Sequence, residues 1–273
     1  MESKGTSMRT NIRPVVSGLA CGISIRARII TPAIAACLLL LASLQVQAQT
    51  THTVCASGCD FTSPEAAASS LDVDPGDTID VTTDTYVLGS TIFVDKSLSI
   101  LANDSIFDAT GIRAIDVSGA ATNFSLTNVT IQNGQAAPGT GGGALRVSGG
   151  AVVTVVNGTF EDNKAEFGGA VHNDGSTLYL NESSFSGNRA TTGSGGAIYT
   201  GGDGTTELFQ TTVDGNLASA AGGGLVADGC ATVNVNQSTI SNNAALITSI
   251  IVDNIDSAVS WIWCGNDPYG QTF

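Results

Sequence analysis

The sequence predicts an all-β fold: a single-stranded right-handed parallel β-helix with coils of about 27 residues and a short N-terminal capping helix. Three observations predict it. Two short signatures recur in alternation through the middle of the chain. Apolar residues fall into columns when the repeats are aligned. The composition, with 33 Gly among 273 residues and only 12% charged and 5% aromatic side chains, suits many short strands joined by tight turns.

Residues 1–48 read as a secretory leader. Basic residues come first (Lys4, Arg9, Arg13, Arg26, Arg28), an apolar run follows from Ala33 to Leu44, and Val46-Gln47-Ala48 offers a cleavage site before Gln49. Ile34-Ala35-Ala36-Cys37 is a rival, lipobox-like reading, with its apolar region after the cysteine instead of before it. The apolar run is short for a membrane span, and no integral span is expected in the mature chain. Five of the ten basic residues and one of the 24 acidic ones precede Gln49, so the mature chain carries five positive and 23 negative side chains, a net of −18. That charge repels nucleic acid and anionic membranes, and neither is expected as a partner.

Residues 49–90 are expected to hold the N-terminal cap and first strands. Ser63-Pro64-Glu65 followed by an Ala/Ser-rich stretch signals a helix start. Pro75-Gly76-Asp77 then turns into the strand Thr78-Ile79-Asp80-Val81. Four cysteines follow the leader: Cys55, Cys59, Cys230 and Cys264. Export favours the disulfides Cys55–Cys59 and Cys230–Cys264; metal ligation is the alternative, and His52 and His172 are the chain's two histidines.

Residues 91–245 carry the repeats. One signature reads Gly142-Gly143-Ala144-Leu145, Gly168-Gly169-Ala170-Val171, Gly195-Gly196-Ala197-Ile198 and Gly222-Gly223-Gly224-Leu225, with starts 26, 27 and 27 residues apart. The other reads Phe160-Glu161-Asp162-Asn163, Phe185-Ser186-Gly187-Asn188, Val213-Asp214-Gly215-Asn216 and Ile240-Ser241-Asn242-Asn243, with a weaker first copy at Ile131-Gln132-Asn133-Gly134. Aligning the second signature gives the columns Ile131/Phe160/Phe185/Val213/Ile240, Leu126/Val155/Leu180/Leu208/Val235 and Phe124/Val153/Leu178/Thr206/Val233. The step of two between the last two columns is strand periodicity. Leu145, Val171, Ile198 and Leu225 form a further core column. No repeat can bury its apolar face alone, so the coils must stack.

Polar columns accompany the core. Thr130, Thr159, Ser184, Thr212 and Thr239 align, as do Gly134, Asn163, Asn188, Asn216 and Asn243. The second set is read as structural: Asn and Gly tolerate left-handed turns, and stacked Asn amides can bond from coil to coil. Residues 246–273, with the apolar stretch Leu246 to Trp263, are expected to form a terminal coil, with truncation at Phe273 as one reading. An uncapped end would favour end-to-end self-association.

The paired signatures resemble those of the polymorphic outer-membrane proteins, within the wider pectate-lyase-like superfamily of right-handed β-helices. The stretch Val54 to Leu101, with Cys55-Ala56-Ser57-Gly58-Cys59, Pro75-Gly76-Asp77-Thr78-Ile79 and Asp95-Lys96-Ser97-Leu98, is similar to N-terminal coils of that superfamily. The resemblance covers about residues 53–245 and speaks for fold more than for activity. It implies a secreted or surface-exposed, adhesin-like protein at the bacterial outer membrane or outside the cell, with glycans or host cell-surface proteins as partners. Autotransporter-type members carry a C-terminal β-barrel, for which this chain has no room after residue 245.

The search for chemistry yields one constellation. Arg146, His172, Tyr199 and Val226 each follow the core residue of the Gly-Gly-Ala strand and should point outward, one coil apart. Arg146, His172 and Tyr199 are the candidate binding residues, since guanidinium and aromatic planes stack on flat ligand faces. A polysaccharide lyase is the enzymatic alternative, with Lys96, Arg113, Arg146, Lys164 and Arg189 as the available bases; no lyase or hydrolase motif surrounds them, and no catalytic residue is assigned. A fragment of a larger surface protein is the third reading. No cofactor is predicted; Ca²⁺ is the one candidate, at turns such as Glu161-Asp162-Asn163 and Asp203-Gly204.

Overall fold

The computed structural model describes residues 48–246 and the backbone of 259–262. The leader, Trp263, Cys264 and most of the apolar C-terminal stretch lie outside the described residues. The chain forms a parallel β-solenoid. Its major sheet stacks, in order, Thr51–Val54, Thr78–Val81, Leu98–Asp108, Asn123–Gln132, Val152–Glu161, Thr177–Asn181, Thr205–Phe209 and Thr232–Asn236. A second sheet stacks Ile92–Val94, Ile115–Ser118, Leu145–Ser148, Val171–Asp174, Ile198–Gly201 and Leu225–Ala227. A third is made of residue pairs: Lys164–Ala165, Arg189–Ala190, Leu217–Ala218 and Ala244–Ala245.

The apolar columns are the ladders of these sheets. Ile131 pairs with Phe160, Phe160 with Phe185, Phe185 with Val213, and Val213 with Ile240. Leu145, Val171, Ile198 and Leu225 pair in the same way. Both columns extend further back than the signatures, to Phe107 and to Ile92 and Ile115. Phe160 and Phe185 stack face to face with centroids 4.5 Å apart, close to the strand spacing itself. Thr206 interrupts its apolar column without leaving a polar group unpaired. Its hydroxyl meets Thr200 Oγ1 at 2.7 Å and accepts from Asn173 Nδ2 at 3.0 Å, all inside the core.

The asparagine column is a continuous buried ladder. Asn163, Asn188 and Asn216 each donate through Nδ2 to the Oδ1 of the next Asn, at 3.0, 2.9 and 2.9 Å. The backbone N–H of the same residues donates to the same oxygens, and the Gly134 N–H donates to Asn163 Oδ1. Each Nδ2 also donates backwards, to the carbonyl of Ile131, Phe160, Phe185 or Val213 in the preceding coil. An interior amide such as Asn188 therefore ties together three coils. The left-handed residue of this turn is the one before the ladder, contrary to the expectation that the Asn and Gly column itself bends: φ is 58° at Asn133, 54° at Asp162, 65° at Gly187, 67° at Gly215 and 53° at Asn242. The bend turns the next side chain inward, where its amide can stack.

A second ladder runs along the corner of the major sheet. Gly158 N–H donates to Ser183 Oγ, Ser183 N–H to Thr211 Oγ1 and Thr211 N–H to Ser238 Oγ, at 3.1, 3.3 and 3.0 Å. The preceding corner residues Asn157, Glu182, Gln210 and Gln237 are left-handed, which costs a non-Gly residue about 1–2 kcal/mol. The hydroxyl ladder offsets this by satisfying backbone N–H groups that a sharp corner would strand.

Coil length varies most in one place. From the second-sheet core residue (Ile115, Leu145, Val171, Ile198 and Leu225) to the Asn ladder the chain takes 19, 18, 17, 18 and 18 residues. From the ladder to the next such core residue it takes 11, 8, 10 and 9. Register is therefore held by the ladders and both larger sheets, and length differences are absorbed between the third sheet and the second.

At the N-terminal end Pro64–Ser69 is a short helix. Ser63 Oγ accepts from the Ala66 N–H, and Pro64 occupies the first turn, where a missing N–H costs nothing. The helix packs against Ile92–Val94. Lys96 Nζ donates to the carbonyls of Ser70 and Val73 just beyond it. Cys55 and Cys59 are joined by a disulfide, with Cα atoms 5.6 Å apart. Cys230 is also disulfide-bonded. At the other end, Val259–Ile262 runs antiparallel to Thr232–Asn236, so this strand closes the edge of the major sheet instead of adding a parallel coil.

Asn188→Ala should destabilise the full chain by about 3 kcal/mol, since it strands several buried donors and acceptors at roughly 1–3 kcal/mol each. Thr212→Ala on the outer face should stay within about 0.5 kcal/mol. Urea denaturation followed by circular dichroism compares them.

Two glycines should respond oppositely in the same assay. A Cβ on Gly196 would stand 1.9 Å from the Gly223 carbonyl oxygen of the next coil, so Gly196→Ala should cost about 3 kcal/mol or more. Gly215 has nothing within 4 Å and shares its column with Asn133 and Asn242, so Gly215→Asn should change stability by less than about 1 kcal/mol.

Candidate functional site

The Gly-Gly-Ala signature builds the outward strip. Its first Gly is left-handed (φ 72°, 53°, 70° and 58° at Gly142, Gly168, Gly195 and Gly222). The second has no room for a side chain against neighbouring backbone. Ala144, Ala170 and Ala197 and the core residues after them are fully buried. Alternation then sends the next residue outward. Arg146 pairs in register with His172, and His172 with Tyr199, on one face of the second sheet. Val226 follows Tyr199, and Asp116 and Phe93 precede Arg146.

The structure adds Asp116, which motif reading missed, and places beside it Arg113, which the sequence offers only as an available base. Arg113 Nη1 meets Asp116 Oδ2 at 2.6 Å, and the rest of the guanidinium donates to the Gly142 and Gly141 carbonyls and to Thr140 Oγ1 at 2.9–3.1 Å. Burial lowers the Arg113 pKa and Asp116 counters it. Aligning Ile115 with Leu145 would have placed Asp116 in the column, but the Arg113 contacts depend on a segment one coil away.

Arg146 is held loosely. Its guanidinium lies 3.8 Å from Asp116 and 3.9 Å from Asp174, and its side chain is 35% exposed. Ion pairs this long at a surface contribute little, about 0–1 kcal/mol. The guanidinium makes no hydrogen bond to any described residue, so its donors are available to a ligand. His172 stands edge-on to Tyr199 with ring centroids 5.3 Å apart. Its Nδ1 is buried and has no hydrogen-bond partner among the described residues. Burial pushes the imidazole pKa down; Asp174 opposes this, while Arg146 and Arg113 reinforce it. Tyr199 donates its hydroxyl to Asp228 and packs against Phe167 with centroids 5.4 Å apart. Burial, and then the Asp228 carboxylate, raise the phenol pKa well above its ordinary value. The strip thus offers a guanidinium with unspent donors beside the neutral ring of His172 and the anchored ring of Tyr199.

A separate depression lies on another face. A groove of about 390 Å³ on the outer face of the major sheet is lined by hydroxyls and amides, among them Ser97, Ser99, Asn123, Ser125 and Thr154. Of the turn considered for Ca²⁺, Asn163 faces inward with its amide committed to the ladder, which removes it from that ligand set.

A model of the Chlamydia polymorphic membrane protein repeat matches residues 182–201. The chain carries this repeat. No curated protein and no solved structure matches it. The matched stretch runs from the left-handed corner at Glu182, through Phe185 and the ladder residue Asn188, to the strand that presents Tyr199. Repeat and solenoid together make this a β-helix protein similar to the polymorphic membrane proteins, and the match suggests a surface or outer-membrane protein.

The lowered His172 pKa has a defined sign. A histidine less basic when folded binds fewer protons than the unfolded chain, so stability falls as pH drops from about 6.5 through its lowered value. NMR titration should place its midpoint below that of a free histidine. The unfolding midpoint should drop more steeply over this window in the native chain than in His172→Gln.

Proposed function

We propose that this protein is a non-enzymatic, adhesin-like recognition protein of the cell surface, and that the Arg146–His172–Tyr199 strip contacts glycans or proteins on a partner cell. The observation that carries the proposal is the Arg146 guanidinium, exposed in part, unspent in hydrogen bonding and set in register beside two aromatic rings. A rigid sheet fixes the backbone of all three and packing holds the His172 and Tyr199 rings, so the ordering entropy lost on binding falls mainly on the Arg146 side chain. Planar groups, such as the amide or carboxylate of a sugar substituent, match the guanidinium and the flanking rings. The match to a surface-protein repeat supports the location.

Binding of the full chain to glycan arrays and to cultured host cells tests this. Arg146→Ala and Tyr199→Ala should each weaken binding about tenfold, more than the roughly 1 kcal/mol that most interface residues stay below. Binding that both variants leave unchanged would remove the strip from the proposal. Release of unsaturated sugars from acidic polysaccharide, seen as ultraviolet absorbance and lost in Arg146→Ala, would replace recognition by lyase chemistry.

A further inference from the structure

Five basic residues follow the leader, and three have partners. Lys96 donates to two carbonyls, Arg113 is bound to Asp116, and Arg146 lies near Asp116 and Asp174. Lys164 and Arg189 are different. They pair directly across the third sheet, Lys164 with Arg189, while Ala165 and Ala190 beside them point into the core. Both are exposed, and neither side chain makes an ion pair or hydrogen bond with a described residue. Like charges directly opposite each other on neighbouring strands repel. A mature chain of net charge −18 has carboxylates to spare, yet among the described residues none forms an ion pair with either cation.

Next to Lys164 the surface dips into a hollow of about 270 Å³, lined by Gln135, Pro138, Lys164, Glu166, Thr191 and Thr192. These residues belong to the part of each coil whose length varies, where function can be added without disturbing the ladders. Glu166 also lines the hollow, with its carboxylate drawn to one side, where Oε2 accepts from the Gly139 N–H at 2.9 Å; the two cations outnumber this one anion. The hollow therefore combines a cation at its wall, a second cation one coil away, one carboxylate, neutral amide and hydroxyl groups, and an apolar lip at Ala136, Ala137 and Pro138.

We infer that Lys164, Arg189 and this hollow form a binding site for one acidic sugar unit, carrying a single carboxylate or sulfate, at the end of a glycan chain. The cations take the acid group, Gln135 and the threonines take ring hydroxyls, and the lip takes the apolar face of the ring. The size suits one unit, falling just below the roughly 300–1,000 Å³ of pockets for drug-sized ligands. The net charge selects against longer polyanions, which the rest of the surface repels. This site is separate from the strip and does not depend on it.

Saturation-transfer NMR on the full chain tests the inference with D-glucuronate, D-glucose 6-sulfate, D-glucose and a short polyglutamate peptide as probes. One or both acidic sugars should show transfer, and which one does identifies the acid group. Lys164→Gln and Arg189→Gln should each weaken that binding about fivefold, whereas Lys164→Arg and Arg146→Gln should retain it. Four outcomes overturn the inference: no transfer from either acidic sugar, equal transfer from glucose, binding of polyglutamate as strong as that of the sugars, or loss in Arg146→Gln without loss in the Lys164 and Arg189 variants. Loss of cell binding in Arg146→Ala with acidic-sugar binding intact would keep the two sites distinct.

Discussion

Everything in this protein depends on each coil keeping its register with the coil before it. Side chains alternate in and out along a strand, so a slip of one residue would put Phe185 in solvent and Ser184 in the core. Apolar burial resists such a slip but resists a slip of two residues weakly, because the next core positions along a strand hold similar residues. The buried amides of Asn163, Asn188 and Asn216 resist it strongly. Each has its donors and acceptor matched to defined atoms in adjacent coils, and a slip would leave several of them unpaired where no water reaches. The hydroxyl ladder through Ser183, Thr211 and Ser238 repeats the same device at the opposite end of the strands.

Rigid register on most of the perimeter leaves freedom on the remainder. The chain from ladder to second sheet changes by up to three residues between coils, while the rest of the coil changes by up to two. This segment supplies the Thr140 and Gly141 acceptors for Arg113, the Phe167 wall for Tyr199 and the rim of the hollow beside Lys164. Chemical variety is concentrated where length is free, and the ladders isolate the core from it.

Much of the fold was legible in the sequence because stacking imposes the same demand at the same place in every coil. Columns such as Ile131 to Ile240 stand out once one motif is aligned, and the Asn column does so by its uniformity. The left-handed turn was placed one residue late because its occupants are mixed, Asn133, Asp162, Gly187 and Gly215, while the uniform column beside it attracted the explanation. The hydroxyl ladder went unread because Ser and Thr are common throughout the chain. Arg146, His172 and Tyr199 were legible from alternation. Arg113 was not, since its partners at Thr140, Gly141 and Gly142 lie some 27–29 residues away and become neighbours only through stacking. The antiparallel strand Val259–Ile262 belongs to no repeat, and nothing periodic announces it.

The amide ladder also has a direction. Every Oδ1 accepts from the coil before it, and the Nδ2 of Asn163, Asn188 and Asn216 gives one hydrogen to the coil after it and one to a carbonyl of the coil before. At the start stands Gly134, which contributes only a backbone N–H and asks nothing of an earlier side chain. The line of aligned amides is therefore a template that reads one way. Each finished coil presents the next with the same half-satisfied donors at the same position, and growth toward the C-terminus can proceed by identical increments. Stability along the solenoid therefore accrues in equal steps, each turn completing the amide of the one before it.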